Sequence, residues 1–315
     1  MRQYLVVRIA QLIPALILAS IAIWALIYLL PGDPAIAILG PNATPQQLQD
    51  LRQSLGLDQP AYMQYANWLG RVLRGDFGIS YQTGLPVLEL IGTRAIATVQ
   101  LGTMAFLVSM VLGVTLGVIA AARPNSGAAR FVSTYNSLTL ALPSFWLGLL
   151  LILLFGVWLK ILPPASGFVP IWLDPLAALR YSVLPIITLA SYTSGIVARF
   201  VRSAMVDVLG ADYVRTARAK GVQEQQVVWR HALRNALLPT VTVLGLQFGA
   251  FIGGAVVTEG VFNYPGLGTL VLSSVTTRDY TVLQGAILMI VASFTLVNLA
   301  VDVLYALLDP RIQYG

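Results

Sequence analysis

The chain has 315 residues, of which 57% are hydrophobic and only 10% are charged. Soluble globular domains contain about 45–50% apolar and about 25% charged residues, so this composition excludes a water-soluble fold. A membrane-spanning helix needs about 20 mostly apolar residues, which leaves room for several spans and substantial loops. The chain has no cysteine, which excludes a disulfide, a thiolate metal site and a nucleophilic thiol.

Six apolar runs are each long enough to cross a bilayer. The first follows Arg2 and Arg8. It is longer than the apolar region of a signal peptide, so we expect it to be a retained span. The predicted spans are residues 9–30, 95–122, 131–159, 181–200, 239–258 and 281–307. The expected fold class is therefore an all-α membrane protein with six transmembrane helices.

The orientation follows from the positions of the basic residues. An even number of spans places both termini on the same side, and cytoplasmic loops carry an excess of Lys and Arg. If the termini are cytoplasmic, most of the 19 basic residues lie inside. The basic residues that give the net charge of +6 are then distributed according to membrane side. This distribution argues against a basic surface that binds nucleic acid. Both termini are predicted to be cytoplasmic.

The long segment after the first span, up to residue 94, is expected outside and carries helix signals. Thr44-Pro45-Gln46-Gln47 has the capping-box pattern, and the helix that it begins is expected to end at Gly56. A second helix is predicted from Pro60 to Arg74, ahead of Gly75. These helices either cover the span ends or form a docking surface for an external partner, and the sequence favours neither interpretation.

A basic cytoplasmic loop is predicted at residues 201–238. The stretch from Asp212 to Lys220 is predicted to form a helix, and Gly221 is its C-terminal break. Val222 to Leu238 can form a second helix that leads into the predicted fifth span. The expected structure is a rigid helix–Gly–helix knob. The alternative is a solvated basic loop that anionic headgroups hold.

Several kinds of chemistry are excluded. No Gly is followed by Lys, so the nucleotide-binding phosphate loop G-x-x-x-x-G-K-[ST] is absent. His231 is the single histidine, which excludes an H-E-x-x-H metal site. We therefore expect no catalytic residue, no metal site and no cofactor in this chain.

Residues 211–221 and 230–239 resemble the EAA loop of ABC importer permeases, in the form found in the dipeptide, oligopeptide and nickel family. Arg215-Thr216-Ala217 stands where the general pattern has Glu-Ala-Ala, and Gly221 is retained. The resemblance extends over nearly the whole chain and is to B-type permease subunits. It is carried by Leu30-Pro31-Gly32-Asp33-Pro34, Gly75-Asp76-Phe77-Gly78-Ile79-Ser80, Thr258-Glu259-Gly260-Val261-Phe262, Pro265-Gly266-Leu267-Gly268, Arg278-Asp279-Tyr280 and Asp309-Pro310-Arg311.

This resemblance implies a type I importer permease in a bacterial cytoplasmic (inner) membrane. Its partners would be a homologous C-type permease, two ABC ATPase subunits that bind ATP and Mg, an extracytoplasmic binding protein, a peptide substrate and membrane lipid. The implied division is the first span with an external segment (1–94), the permease core (95–308) and a cytoplasmic tail (309–315). The residues implied to couple to the ATPases are Arg215, Thr216, Ala217, Arg218, Ala219, Lys220, Gly221, Arg230, His231 and Arg234.

Polar residues within the spans are candidates for the translocation pathway, because polar groups at depth usually face the bundle interior or a cavity. Asp302 is the one carboxylate within a predicted span, and we expect it to reach water at the cytoplasmic end. Gly245, Gly249 and Gly253 recur every four residues in the fifth span and favour helix packing, within the chain or at a subunit seam. The pathway candidates are Asn136, Ser144, Gln247 and Asn298.

The function that the sequence favours is a permease subunit, without enzymatic activity of its own, for dipeptide or oligopeptide import by alternating access. Nickel or another small solute is the alternative within the family. An autonomous channel or proton-coupled carrier would need a filter motif or a charge relay, and the sequence shows neither.

Overall fold

The computed structural model describes residues 2–29, 34–40, 42–54, 56–164 and 167–308. Within these ranges the chain is helical, and its one isolated β-bridge joins Ile79 to Pro86. The helices are α1 (Arg2–Leu29), α2 (Pro34–Leu39), α3 (Pro45–Ser54), α4 (Ala61–Leu73), α5 (Val87–Ala122), α6 (Gly127–Ala141), α7 (Ser144–Leu151), α8 (Pro175–Leu209), α9 (Asp212–Ala219), α10 (Glu224–Gln226), α11 (Leu233–Phe262), α12 (Leu267–Thr277) and α13 (Tyr280–Leu308). Two π-helical segments, Ile152–Trp158 and Val227–Ala232, continue α7 and α10.

Helices α5 and α8 form the centre of the bundle and pack closely along each other. A Cβ at Gly117 would lie 2.6 Å from Val201 Cβ, and one at Gly113 would lie 2.6 Å from Val197 Cβ. Small residues four apart allow this close approach of two backbones in a membrane. The apolar window of α8 is 67% buried, whereas that of α13 is 6% buried, so α13 lies at the periphery.

Among the described residues, three helices are long and apolar enough to cross a membrane: α5, α8 and α13 through Val303. The predicted span 131–159 is instead a pair of helices, α6 and α7 with its π-helical continuation, bent by 107°. The bend is at Leu142, whose ψ of 127° lies in the extended region because the following Pro143 disfavours helical geometry. Counting this pair as one span gives four.

The first and fifth predicted spans coincide with α1 and α11. Their described apolar segments, Ala10–Leu26 and Gln247–Phe262, are shorter than the other three spans. The all-helical membrane fold is thus confirmed, while the count of six spans stays a prediction.

The predicted external helices are present as α3 and α4. Thr44 Oγ1 accepts a hydrogen bond from the Gln47 amide at 3.3 Å, and Gln47 Oε1 accepts from the Thr44 amide at 2.9 Å, which is the reciprocal capping box. Helix α4 lies against α1, since the Ser20 and Tyr65 hydroxyls are 2.8 Å apart.

The fourth span is longer than predicted. Helix α8 runs on to Leu209, and Val201 and Met205 in its extension are fully buried. The loop predicted from residue 201 therefore begins about two helical turns later. Apolar burial against the neighbouring helices explains why charged residues around this stretch did not end the helix.

Candidate functional site: the helix–Gly–helix hairpin

The predicted knob is present as a helix–Gly–helix hairpin, which we define as residues 211–234. Helix α9 ends at Ala219, and Gly221 adopts a φ of +81°, a conformation that favours glycine. The amides of Gly221 and Val222 donate to the carbonyls of Arg218 and Ala217, which closes the end of α9. The second limb is α10, its π-helical continuation and the first residues of α11, so it runs directly into the rest of α11.

Apolar residues hold the hairpin to the end of the bundle. Val214 on the first limb and Val227 and Ala232 on the second are fully buried. Tyr213 and Asn235 join the limbs through a hydrogen bond of 2.8 Å from the Asn235 amide to the Tyr213 hydroxyl. The hairpin is therefore a packed part of the fold, and a displacement of its tip would be transmitted to α11.

Arg218 stabilises the hairpin through three side-chain hydrogen bonds to two residues. Its Nε and Nη2 donate to the two carboxylate oxygens of Glu224 at 2.9 and 2.7 Å, and its Nη1 donates to the Leu209 carbonyl at 3.3 Å. These bonds connect the first limb to the second limb and to the last residue of α8. The hydrogen bonds from Arg218 hold the pKa of the Glu224 carboxyl below its ordinary value.

Most of the predicted coupling residues are exposed. Arg215 pairs with Asp212 at 3.3 Å, and Thr216 donates to the Asp212 carbonyl, so the helix start is ordered by its own side chains. Ala217 and His231 are half-buried. The exposed members are Arg215, Thr216, Arg218, Ala219, Lys220, Gly221, Arg230 and Arg234. The hairpin therefore presents exposed basic residues on both of its limbs.

The predicted pathway residues are not joined to one another by any hydrogen bond in the described part of the chain. Asn136, Ser144, Gln247 and Asn298 are all half-buried. Asn136 Oδ1 is buried without a partner among the described residues.

The glycine stripe on α11 has unequal surroundings. A Cβ at Gly249 would meet the Asn298 side chain of α13, whereas one at Gly253 would meet nothing within 4 Å. Gly245 is half-buried on the same helix. At the crossing of α5 and α8, the close approach is made by Gly113 and Gly117 on α5, which the sequence reasoning missed.

The sequence reasoning also missed a buried carboxylate. Helix α11 extends past the predicted end of the fifth span and includes Glu259, which is 0% exposed. Its oxygens accept hydrogen bonds from Thr98 Oγ1 and from the Gly268 amide, both at 2.6 Å. Glu259 therefore joins α5 and α11 to the N-terminus of α12, where backbone amides and the helix dipole favour an anion. Glu259 follows directly after the last residue of the predicted fifth span, so the search for carboxylates within the predicted spans did not include it.

The expectation that Asp302 simply reaches water needs correction. Its Oδ2 lies 3.4 Å from Arg8 Nε, and the two side chains are 31% and 42% exposed. The ion pair joins α13 to α1. Opposite charges near the two ends of the sequence could have suggested it, but spacing along the chain gives no information on contacts between the first and last helices.

Two family models match the chain. Residues 113–314 match the binding-protein-dependent transport system inner membrane component, and residues 1–102 match the N-terminal part of such membrane components. The chain is 42% identical over 314 residues to the glutathione transport system permease protein GsiC of Escherichia coli (strain K12). The identity is also 42% to the protein of that name from Salmonella typhimurium (strain LT2), and in both cases 100% of each chain is covered.

A solved structure shares the fold. It is the crystal structure of an amino acid ABC transporter with histidines, with a TM-score of 0.50 and 17% sequence identity. The match covers 71% of this chain and 94% of that chain. The family matches, the full-length relatives and the shared fold agree on a membrane-embedded transport subunit. The chain belongs to the family of binding-protein-dependent transport system inner membrane components, the permease subunits of ABC importers.

Proposed function

We propose that this chain is the B-type permease subunit of an ATP-driven importer that carries short peptides across the bacterial inner membrane by alternating access. The observation that carries the proposal is the hairpin at residues 211–234, an exposed, braced surface continuous with α11. The relatives named for glutathione, which is a tripeptide, support a peptide-like substrate.

The proposed mechanism begins at the hairpin. An ATPase subunit that closes on ATP and Mg displaces the hairpin tip around Gly221. Arg218 ties the first limb to Leu209 of α8 and to Glu224, so the displacement reaches both α8 and α11 as one movement. Interfaces between packed helices change between discrete arrangements rather than deforming continuously. The two arrangements would open the pathway to opposite sides of the membrane in turn.

The proposed complex contains this subunit, a homologous C-type permease, two ABC ATPase subunits and an extracytoplasmic binding protein. The peripheral helix α13, with 6% of its apolar window buried, supplies an apolar surface for lipid or for the second permease. We further propose six spans with both termini cytoplasmic, which places α3 and α4 outside. A reporter fused after Gly315 should then be active in the cytoplasm, and one inserted near Asn42 should be active outside.

The substrate class is tested with the reconstituted importer, assembled from this chain and the permease, ATPase and binding protein encoded beside it. Uptake of a labelled dipeptide is measured in the presence of excess glutathione, excess unlabelled dipeptide or excess Ni²⁺. Competition by the peptides but not by Ni²⁺ supports the proposal. Uptake of Ni²⁺ without uptake of either peptide would reassign the substrate to the metal.

A further inference from the structure

A second site lies away from the hairpin, where the segment after the first span meets the start of α13. A cavity of about 590 Å³ lies between α4, residues 76–81 and the first turns of α13. Pockets that hold small ligands have volumes of about 300–1,000 Å³. We call this cavity the α4–α13 pocket.

The walls of the pocket are firmly joined. Ser80 Oγ donates to Asp279 Oδ2 at 2.5 Å, across 199 residues of sequence, and Asp279 is 3% exposed. Gly78 has a φ of +81°, and a Cβ there would lie 2.7 Å from Thr281 Cγ2. The two sequence motifs that contain Gly78 and Asp279 therefore meet here, and they build a preformed pocket rather than a loose loop contact.

The floor of the pocket has polar groups without partners. Tyr280 and Gln284 line it and are 3% and 4% exposed. The Gln284 amide nitrogen donates to the Trp24 carbonyl at 3.2 Å, which fixes the side chain. Among the described residues, neither Gln284 Oε1 nor the Tyr280 hydroxyl has a hydrogen-bond partner. Neither atom is among the fully buried unpaired atoms of the described residues, so both keep accessible surface in the pocket, where Gln284 Oε1 can accept from amide or ammonium donors of a ligand.

The rim carries one charge of each sign. Arg71 and Asp76 both line the pocket, and neither forms an ion pair within the described part of the chain. They are held at one helix end, because the Asp76 amide donates to the Arg71 carbonyl at 3.0 Å. Trp24 and Trp68 add aromatic walls. The pocket is therefore complementary to a zwitterion with peptide bonds and apolar side chains. The two charges match its charged ends, the polar floor matches its amides and the aromatic faces match its side chains.

We propose that the α4–α13 pocket binds a short peptide with free termini, whose carboxylate pairs with Arg71, whose ammonium group pairs with Asp76 and whose amide groups contact Gln284 and Tyr280. The inference rests on the proposed function, since it assigns the peptide a subsite on the permease itself. In the proposed orientation the pocket lies on the outer side of the membrane, from which the peptide would enter, so its occupation would raise the local concentration of substrate.

The test is equilibrium binding of labelled Ala-Phe to the importer complex in lipid nanodiscs, without the binding protein. Three ligands are compared: the free dipeptide, its C-terminal amide and its N-acetyl form. Arg71→Gln should weaken binding of the free dipeptide about tenfold and remove the preference for a free carboxylate over the amide. Asp76→Asn should remove the preference for the free amine over the N-acetyl form. The matched controls, Arg74→Gln and Asp58→Asn, lie outside the lining and should bind all three ligands as the unmodified complex does.

Saturable binding with these two ligand-specific losses supports the pocket. A complex that imports dipeptides but shows no saturable binding, or whose discrimination between the three ligands is unchanged in both variants, would overturn the inference and leave the proposed function intact. Failure of the complete importer to take up any peptide would instead count against the proposed function.

Discussion

Thr98 and Glu259 are 161 residues apart in the sequence, and the Thr98 hydroxyl donates to Glu259 Oε1 at 2.6 Å. The same hydroxyl accepts a hydrogen bond from the Leu267 amide at 2.8 Å, and the second carboxylate oxygen accepts from Gly268. A Cβ on Gly266 would overlap the Glu259 carboxylate, so any larger residue at position 266 would displace that carboxylate from its partners. Three helices are fixed to one another at this point.

Removing this carboxylate should destabilise the fold. Glu259→Ala leaves the Thr98 hydroxyl and the Gly268 amide without their acceptor, and each unsatisfied buried donor costs about 1–3 kcal/mol. We expect the free energy of unfolding to fall by at least about 2 kcal/mol, measured as a loss of thermal stability in detergent. Glu89→Ala, at an exposed position of α5, is the control and should change little. Equal stability of the two variants would contradict the role given to Glu259.

The crossing of α5 and α8 should tolerate no added methyl group. In Gly117→Ala the new Cβ would lie 2.6 Å from Val201 Cβ and 2.8 Å from the Ala198 carbonyl, so the helices must separate. Overpacking of this kind typically costs about 1–3 kcal/mol. Gly92→Ala lies on the same helix with nothing within 4 Å of its Cβ and should not lower stability. Thermal unfolding of the two purified variants distinguishes local crowding from a general effect of replacing glycine.

The Arg218–Glu224 pair should respond to pH in a defined direction. Because Arg218 lowers the folded-state pKa of Glu224, the stabilisation is complete above the unfolded pKa and is lost as pH falls through the folded pKa. The side chains are 39% and 60% exposed, so the contribution to stability is small. Carboxyl-carbon NMR of Glu224 should give a midpoint below that of a free glutamate, about 4.3. Arg218→Gln should return it to that value, and an unchanged midpoint in this variant would contradict the assignment.

A side chain at the hairpin tip should block transport without unfolding the protein. Gly221→Asp imposes backbone strain of about 1 kcal/mol, since φ is +81°, but its Cβ would meet nothing within 4 Å. The carboxylate would lose its hydration on entering the ATPase surface without a partner there. We therefore expect normal amounts of inserted subunit and loss of peptide uptake.

The control for this variant is Gly84→Asp, because Gly84 has a φ of +70° and equally open surroundings, on the side of the protein proposed to face outward. Uptake by the control should be retained. Equal loss of uptake in both variants would attribute the effect to backbone strain rather than to coupling.

The features that the sequence could predict depend on local chemistry. The capping box at Thr44 and Gln47, the end of α9 before Gly221 and the apolar runs of α5 and α13 all follow from residues close together in the chain. The family of the chain could be recognised for the same reason, because its motifs are short and contiguous.

The features that were missed depend on contacts between distant segments. The extension of α8 requires that Met205 find an apolar neighbourhood, which only the neighbouring helices supply. Glu259 could be noticed as a carboxylate beside a glycine-rich turn, but its partner Thr98 is on another helix. The pairing of Asp302 with Arg8 likewise joins the last helix to the first.

The central claim is that the hairpin at residues 211–234 is the surface that receives the ATPase subunits, and photo-crosslinking tests it most directly. The chain contains no cysteine, so Ala219→Cys, at an exposed position of the hairpin, introduces a single thiol that a benzophenone maleimide can label. Thr83→Cys, exposed on the side proposed to face outward, is the control. Irradiation of the assembled importer should join Ala219→Cys, but not Thr83→Cys, to an ATPase subunit. Crosslinks to the ATPase from Thr83→Cys alone, or none from Ala219→Cys in a transporting complex, would contradict the account.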